Sequence, residues 1–165
     1  MYLTEECQVV SAIVPIDLAA GANNGDWVSM KGYADLDIIV FADAGAAGED
    51  PVLTVTQATA VAGTGSKALN FTRVDSKVGA QTGIGQFTKN TQAAGNTYTD
   101  AVSGEAENLF VIHIKAEDLD LANGFDCVQV SIPDTGATAG KIGCALYILS
   151  GARYAGQFPA SAIVD

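Results

Sequence analysis

Side chains suited to catalysis are scarce in this sequence. A single histidine, His113, stands among 165 residues, and the three cysteines, Cys7, Cys127 and Cys144, are far apart with no CxxC pair. A nucleophilic triad needs a base with a nucleophile and an orienting acid beside it. No G-x-S-x-G pattern offers the nucleophile. An odd number of distant cysteines argues against a disulfide framework and fits a reduced compartment, and their spacing is not that of a zinc site. Basic residues are also few: 8 Lys and Arg against 19 Asp and Glu give a net charge of −11. That balance argues against nucleic acid as a partner, because binding a phosphate backbone needs clustered cations. No run of about eighteen apolar residues exists to span a membrane. The two acids in Met1-Tyr-Leu-Thr-Glu-Glu-Cys7 stand where a secretion signal would be basic, so synthesis and folding in a cytoplasm are expected.

Turn residues and β-type segments fill the chain instead. Strands are expected over Gln8 to Ile16, Trp27 to Met30, Ala34 to Asp43, Val52 to Ala58, Ala68 to Ser76, Gly85 to Thr91, Leu109 to Ala116, Cys127 to Ile132 and Ile142 to Leu149. Gly, Asn, Thr and Pro punctuate them, as in Asn23-Asn24-Gly25 and at Pro51. Ala34, Leu36, Ile38, Val40 and Ala42 alternate with Asp35, Asp37, Ile39, Phe41 and Asp43, the period of a strand with one dry and one partly wet face. One short helical turn is expected over Ala116 to Asn123, with Gly124 as its C-terminal cap. The pattern is that of an all-β, single-domain antiparallel sandwich of jelly-roll-like type with about nine strands, occupying residues 1–150. The charged fraction of 16% falls below the usual quarter. Uncharged polar surface, which is inexpensive to desolvate, must therefore cover much of the outside.

Residues 151–165 form a C-terminal extension or arm. Gly151, Gly156 and Pro159 break any regular structure, yet Tyr154, Phe158, Ile163 and Val164 are apolar and have no period. Such a segment needs a surface to lie on, either its own domain or a neighbouring subunit. Those four residues are the candidate interface anchors, and Met1 to Glu6 is a second candidate contact segment.

The apparent sites each fail on spacing or context. His113 shares the wetter face of its strand with Val111 and Lys115. The acids from Glu117 to Asp126 do not keep the register of a calcium loop: counted from Asp118, Asn123 falls where the glycine belongs and Gln129 where the bidentate glutamate belongs. Gly63-Thr-Gly-Ser-Lys67 and Gly83-Ile-Gly85 complete no phosphate-loop motif. Cys144 shares a face with Ile142, Leu146 and Ile148 and reads as a small buried hydrophobe. Trp27, Tyr33, Tyr98 and Tyr154 are candidate sugar-stacking platforms but are not clustered. No catalytic residue, cofactor or metal is expected.

Several stretches resemble small structural proteins encoded among the virion genes of tailed bacteriophages. They are Asp50-Pro-Val-Leu-Thr-Val-Thr-Gln-Ala-Thr, Lys67-Ala-Leu-Asn-Phe-Thr-Arg-Val-Asp75, Phe110-Val-Ile-His-Ile-Lys-Ala-Glu-Asp-Leu-Asp120, Asn123-Gly-Phe-Asp-Cys-Val-Gln-Val-Ser-Ile132 and Ala145-Leu-Tyr-Ile-Leu. The likeness lies in texture and segment order over most of the chain. It implies a non-enzymatic capsid decoration, or cement, protein on the outside of the head. Such a protein would bind major capsid protein, act as a homotrimer and be located on the virion surface. A tail or head-to-tail joining component and a carbohydrate-binding β-sandwich module are the alternatives.

Overall fold

A computed structural model describes residues 2–101, 105–136, 140–153 and 159–163. The expected antiparallel all-β sandwich is present. The first sheet has the order β1-β12-β4-β10-β7-β8, formed by β1 (Gln8–Asp17), β12 (Ile142–Ser150), β4 (Asp35–Ala42), β10 (Asn108–Lys115), β7 (Phe71–Val78) and β8 (Thr88–Gly95). In the second sheet β11 (Cys127–Ile132) pairs with β5 (Val52–Ala58) along one edge. Its other edge is shared by the short β2 (Asn23–Asn24) and β3 (Val28–Ser29), while β6 (Lys67–Ala68) and β9 (Thr97–Thr99) share the far edge of β5.

The dry face expected for β4 is found. Leu36, Ile38, Val40 and Ala42 are fully buried, and they meet Leu53, Val55, Val128 and Val130 of the second sheet in one core cluster. Period-2 alternation on both sheets aims these side chains into a single layer, where their burial supplies the main stabilisation. Phe110 of β10 packs against Tyr98 edge to face, with ring centroids 5.8 Å apart.

The hairpin of β7 and β8 lies in the first sheet but is flanked by strands of the second. The chain enters it from β6 in the second sheet and leaves it into β9 in the same sheet. Consequently β7 stays beside β10 only at one end. The two strands are paired from Asn108↔Val78 to Val111↔Asp75 and no further.

Helix is limited to single turns, but there are more of them than the sequence suggests. Among the described residues they are α1 (Leu3–Glu6), α2 (Gln81–Ile84) and two 3-10 turns, Ala116–Asp118 and Leu121–Asn123. Gly124, at φ +80°, ends the last of these in the left-handed conformation that glycine tolerates. The turn at α2 displaces the next strand, which is β8 over Thr88–Gly95 instead of 85–91.

The described part of the C-terminal extension returns to its own domain. Gly32 O accepts from Arg153 N (2.8 Å), Ala162 O accepts from Ser29 N (2.6 Å), and the Tyr33 hydroxyl donates to Ala160 O. Ala162 is buried within the core cluster.

Candidate functional site

The outer faces of the two sheets differ in kind. The second sheet presents Thr54, Thr56, Gln129 and Ser131, half-buried uncharged polar groups, between its inward Leu53, Val55, Val128 and Val130. The first sheet presents apolar groups. Register places Leu146 beside Ile39 and Ile39 beside Val111; the next row holds Cys144, Phe41 and Leu109; Val9 lies beside Ile148. Phe41, Leu146 and Val9 are 44%, 39% and 40% exposed, and Ile142 at the end of β12 is 47% exposed. A shallow groove of about 380 Å³ crosses this face between Pro15, Phe41, Ile142 and Cys144, with Asp43 and Glu107 at its rim. Contiguous exposed apolar surface of this kind marks an interaction site more often than single exposed hydrophobes do.

This overturns one reading of the sequence. Cys144, with Ile142, Leu146 and Ile148, was expected on a buried face, yet those residues point outward. The core face of β12 is Gly143, Ala145, Tyr147 and Leu149. Both faces of this strand are apolar, so alternation alone did not say which is inside.

The apolar field ends in a charged row. His113 lies opposite Asp37, and Lys115 opposite Asp35. The imidazole Nδ1 is 2.8 Å from an Asp37 carboxylate oxygen and Nε2 is 3.3 Å from Asp35. His113 therefore sits on the wetter face, as its strand position indicated, between two carboxylates, and neither partner is a hydroxyl or thiol nucleophile. Burial, then Glu6 and Asp37, push the Cys7 thiol above its usual range, the reverse of what a reactive cysteine needs.

The acids from Glu117 to Asp126 are engaged with their own surroundings. Asp118 Oδ2 accepts from Lys115 N (2.8 Å), capping the first 3-10 turn. Asp120 accepts from Lys67 Nζ and from Asn123 Nδ2 (2.8 and 2.9 Å), and these bonds, Lys67 first, hold its carboxyl below the usual range. Asp126 lies 3.6 Å from Lys31 Nζ. No group of three or more His, Cys, Asp or Glu side chains among the described residues is disposed to hold a metal ion.

The aromatic candidates are dispersed. Tyr33 is in the core, Trp27 lies against Gly63, and Tyr98 packs on Phe110. Of the four interface anchors expected in the C-terminal extension, Ile163 is 47% exposed beside the buried Ala162, whereas Tyr154, Phe158 and Val164 lie outside the described residues. Among the described residues no helix is long and apolar enough to cross a membrane.

The outer face of the first sheet was the feature that sequence reasoning missed. Its signal was present in Ile39 and Phe41, apolar residues on the side of β4 that also carries Asp35 and Asp37. No protein-family model, curated protein or solved structure matches the chain.

Proposed function

We propose that this chain is a structural virion protein that binds the outside of a phage capsid and stabilises contacts between major capsid subunits, acting as a homotrimer. The observation that supports this reading best is the uncovered apolar face of the six-stranded sheet, from Val9 across Leu146 and Ile39 to Val111 and Phe41. A two-layer sandwich buries only the inner face of each sheet, so an apolar outer face is completed by a neighbour. The resemblance of the sequence to virion structural proteins supplies the kind of neighbour, a capsid subunit. Modest contacts repeated over a symmetric shell hold it together through avidity rather than through any one tight site.

The experiment is co-sedimentation of the protein with purified capsid shells. Phe41→Lys combined with Leu146→Lys places two charges in the middle of the face and should weaken binding at least about tenfold, since an unpaired buried charge costs several kcal/mol. Thr56→Lys, on the polar outer face of the other sheet, should leave binding unchanged. Undiminished co-sedimentation of the double variant, with its folding verified by circular dichroism, would refute this use of the face.

A further inference from the structure

Where β7 parts from β10 a cleft of about 530 Å³ opens, within the size range of small-ligand sites. The geometry points to this cleft as a binding site for a neutral, polyhydroxylated ligand such as a sugar, a site that adjoins the apolar face at Val111 but does not include Phe41 or Leu146. The bond from Gly79 N to Glu107 O (2.7 Å) sets the rungs of the β7–β10 ladder on odd-numbered residues. Leu109 with Lys77 and Val111 with Asp75 follow, and the next rung, His113 with Arg73, is absent. The main-chain N–H and C=O of both residues thus face the opening. The walls add Asp37, Asp75 and Asp118 with Thr72, and Phe71 and Val111 give an apolar surface.

The pairing of charges selects the ligand. Asp75 holds Arg73 through two bonds (Nε 2.9 Å, Nη2 2.7 Å), Asp37 faces His113 Nδ1 at 2.8 Å, and Asp118 accepts from Lys115 N. Arg73 is already taken, so an anion meets three carboxylates and no uncommitted cation. A metal ion finds no cluster of ligating side chains among the described residues. Each carboxylate has about four acceptor positions and fills only one or two here, so acceptors outnumber donors and a ligand rich in donors is favoured. Hydroxyl groups donate to the carboxylates and also accept from the free main-chain N–H groups. An extended peptide fits less well. It would need about 4.8 Å on each side, yet the ladder is still closed one rung away at Val111 and Asp75.

The test is an array of neutral and acidic oligosaccharides probed with the whole protein, followed by titration of each bound sugar by NMR. Retention of at least one neutral oligosaccharide is expected. Asp37→Asn should weaken it at least about tenfold, the effect of losing a hydrogen bond to a charged group. Thr72→Trp, which fills the cleft, should abolish binding, and either variant decides the matter if the other does not fold. Phe41→Lys with Leu146→Lys should bind the sugar as before, which keeps this test independent of the capsid-binding reading. The proposal is overturned if no neutral glycan binds at millimolar concentration, if only acidic glycans bind, or if binding survives both cleft variants. Capture of extended peptides from a displayed library at the same cleft, with no glycan bound, would overturn it in favour of strand insertion.

Discussion

Tyr147 joins the two sheets through one atom. Its side chain leaves the inner face of β12, and its hydroxyl accepts from Val130 N of β11 at 2.7 Å. The need arises because the edge partner of β11 is interrupted: β2 pairs with Ser131 and Ile132, β3 with Cys127 and Val128, and Val130 lies between. Gly25 N donates to Val130 O (2.9 Å), and a Cβ at Gly25 would come within 2.8 Å of that oxygen and 3.1 Å of the Tyr147 hydroxyl. Tyr147→Phe removes the acceptor from a buried N–H and should destabilise the fold by about 1–3 kcal/mol in urea titrations. Burial also pushes the Tyr147 phenol well above its ordinary value, and Tyr33 and Tyr98 shift the same way for the same leading cause. The unfolded chain then loses these protons near pH 10 while the folded one keeps them. Stability is held below about pH 10 and falls above it by up to ~1.4 kcal/mol per pH unit per tyrosine. Phenolate absorbance should rise together with unfolding, and Tyr147→Phe should flatten the alkaline slope.

Lys141 is a second residue whose position defines its role. It is fully buried, with Nζ donating to Asp43 O at 2.8 Å. Burial pulls its pKa down, while the fields of Asp50, Asp43, Glu49 and Glu105 oppose the shift. Lys141→Ala removes the cation these acids surround and should cost about 3 kcal/mol at neutral pH, read as a lowered urea midpoint with unchanged slope. A folded-state pKa below the ordinary one makes the native lysine easier to deprotonate. Its burden therefore eases as pH rises toward 10.5, opposite in sign to the tyrosines.

At the scale of elements, the C-terminal extension has a structural part. Ala162 sits in the core, and residues 160–162 provide acceptors for Tyr33 and Ser29. Removing residues 151–165 should lower stability by about 2–4 kcal/mol, from three lost hydrogen bonds, at Gly32, Ser29 and Tyr33, and an uncovered core edge. Ile163→Ser, at an exposed position, should leave the melting temperature unchanged. A truncated chain that melts like the full one would show that residues 160–162 do not hold the fold. How far the elements were legible depends on what their neighbours do. In β4 the aspartates mark the outer side and aliphatic residues the inner, so one dry face could be read directly. In β12 both sides are apolar, and only the pairing with β1 and β4 shows that Tyr147 points in and Leu146 out. Where β7 parts from β10 the local sequence gives no warning, because the flanking β6 and β9 are tied to β5 in the other sheet, a pairing that only the register reveals. The charged row of His113, Asp35 and Asp37 could be placed strand by strand, but its meeting required the register.

For the whole molecule, the decisive pair of properties is a net charge of −11 and an exposed apolar face on the first sheet. Copies arrayed on a shell would repel one another through their summed charge, while the proposed contact itself is apolar and little affected by salt. At 0.01 M ionic strength the screening length is about 30 Å, and at 0.1 M about 10 Å. Raising salt therefore weakens repulsion between neighbouring copies without weakening the contact each makes. Shell occupancy at a fixed protein concentration should increase from 0.01 to about 0.15 M salt and then level off. A contact dominated by ion pairs would show the opposite slope, with occupancy falling as salt rises. Titrating shells with labelled protein at several salt concentrations distinguishes the two, and a steady fall in occupancy would rule out the apolar face as the main source of binding.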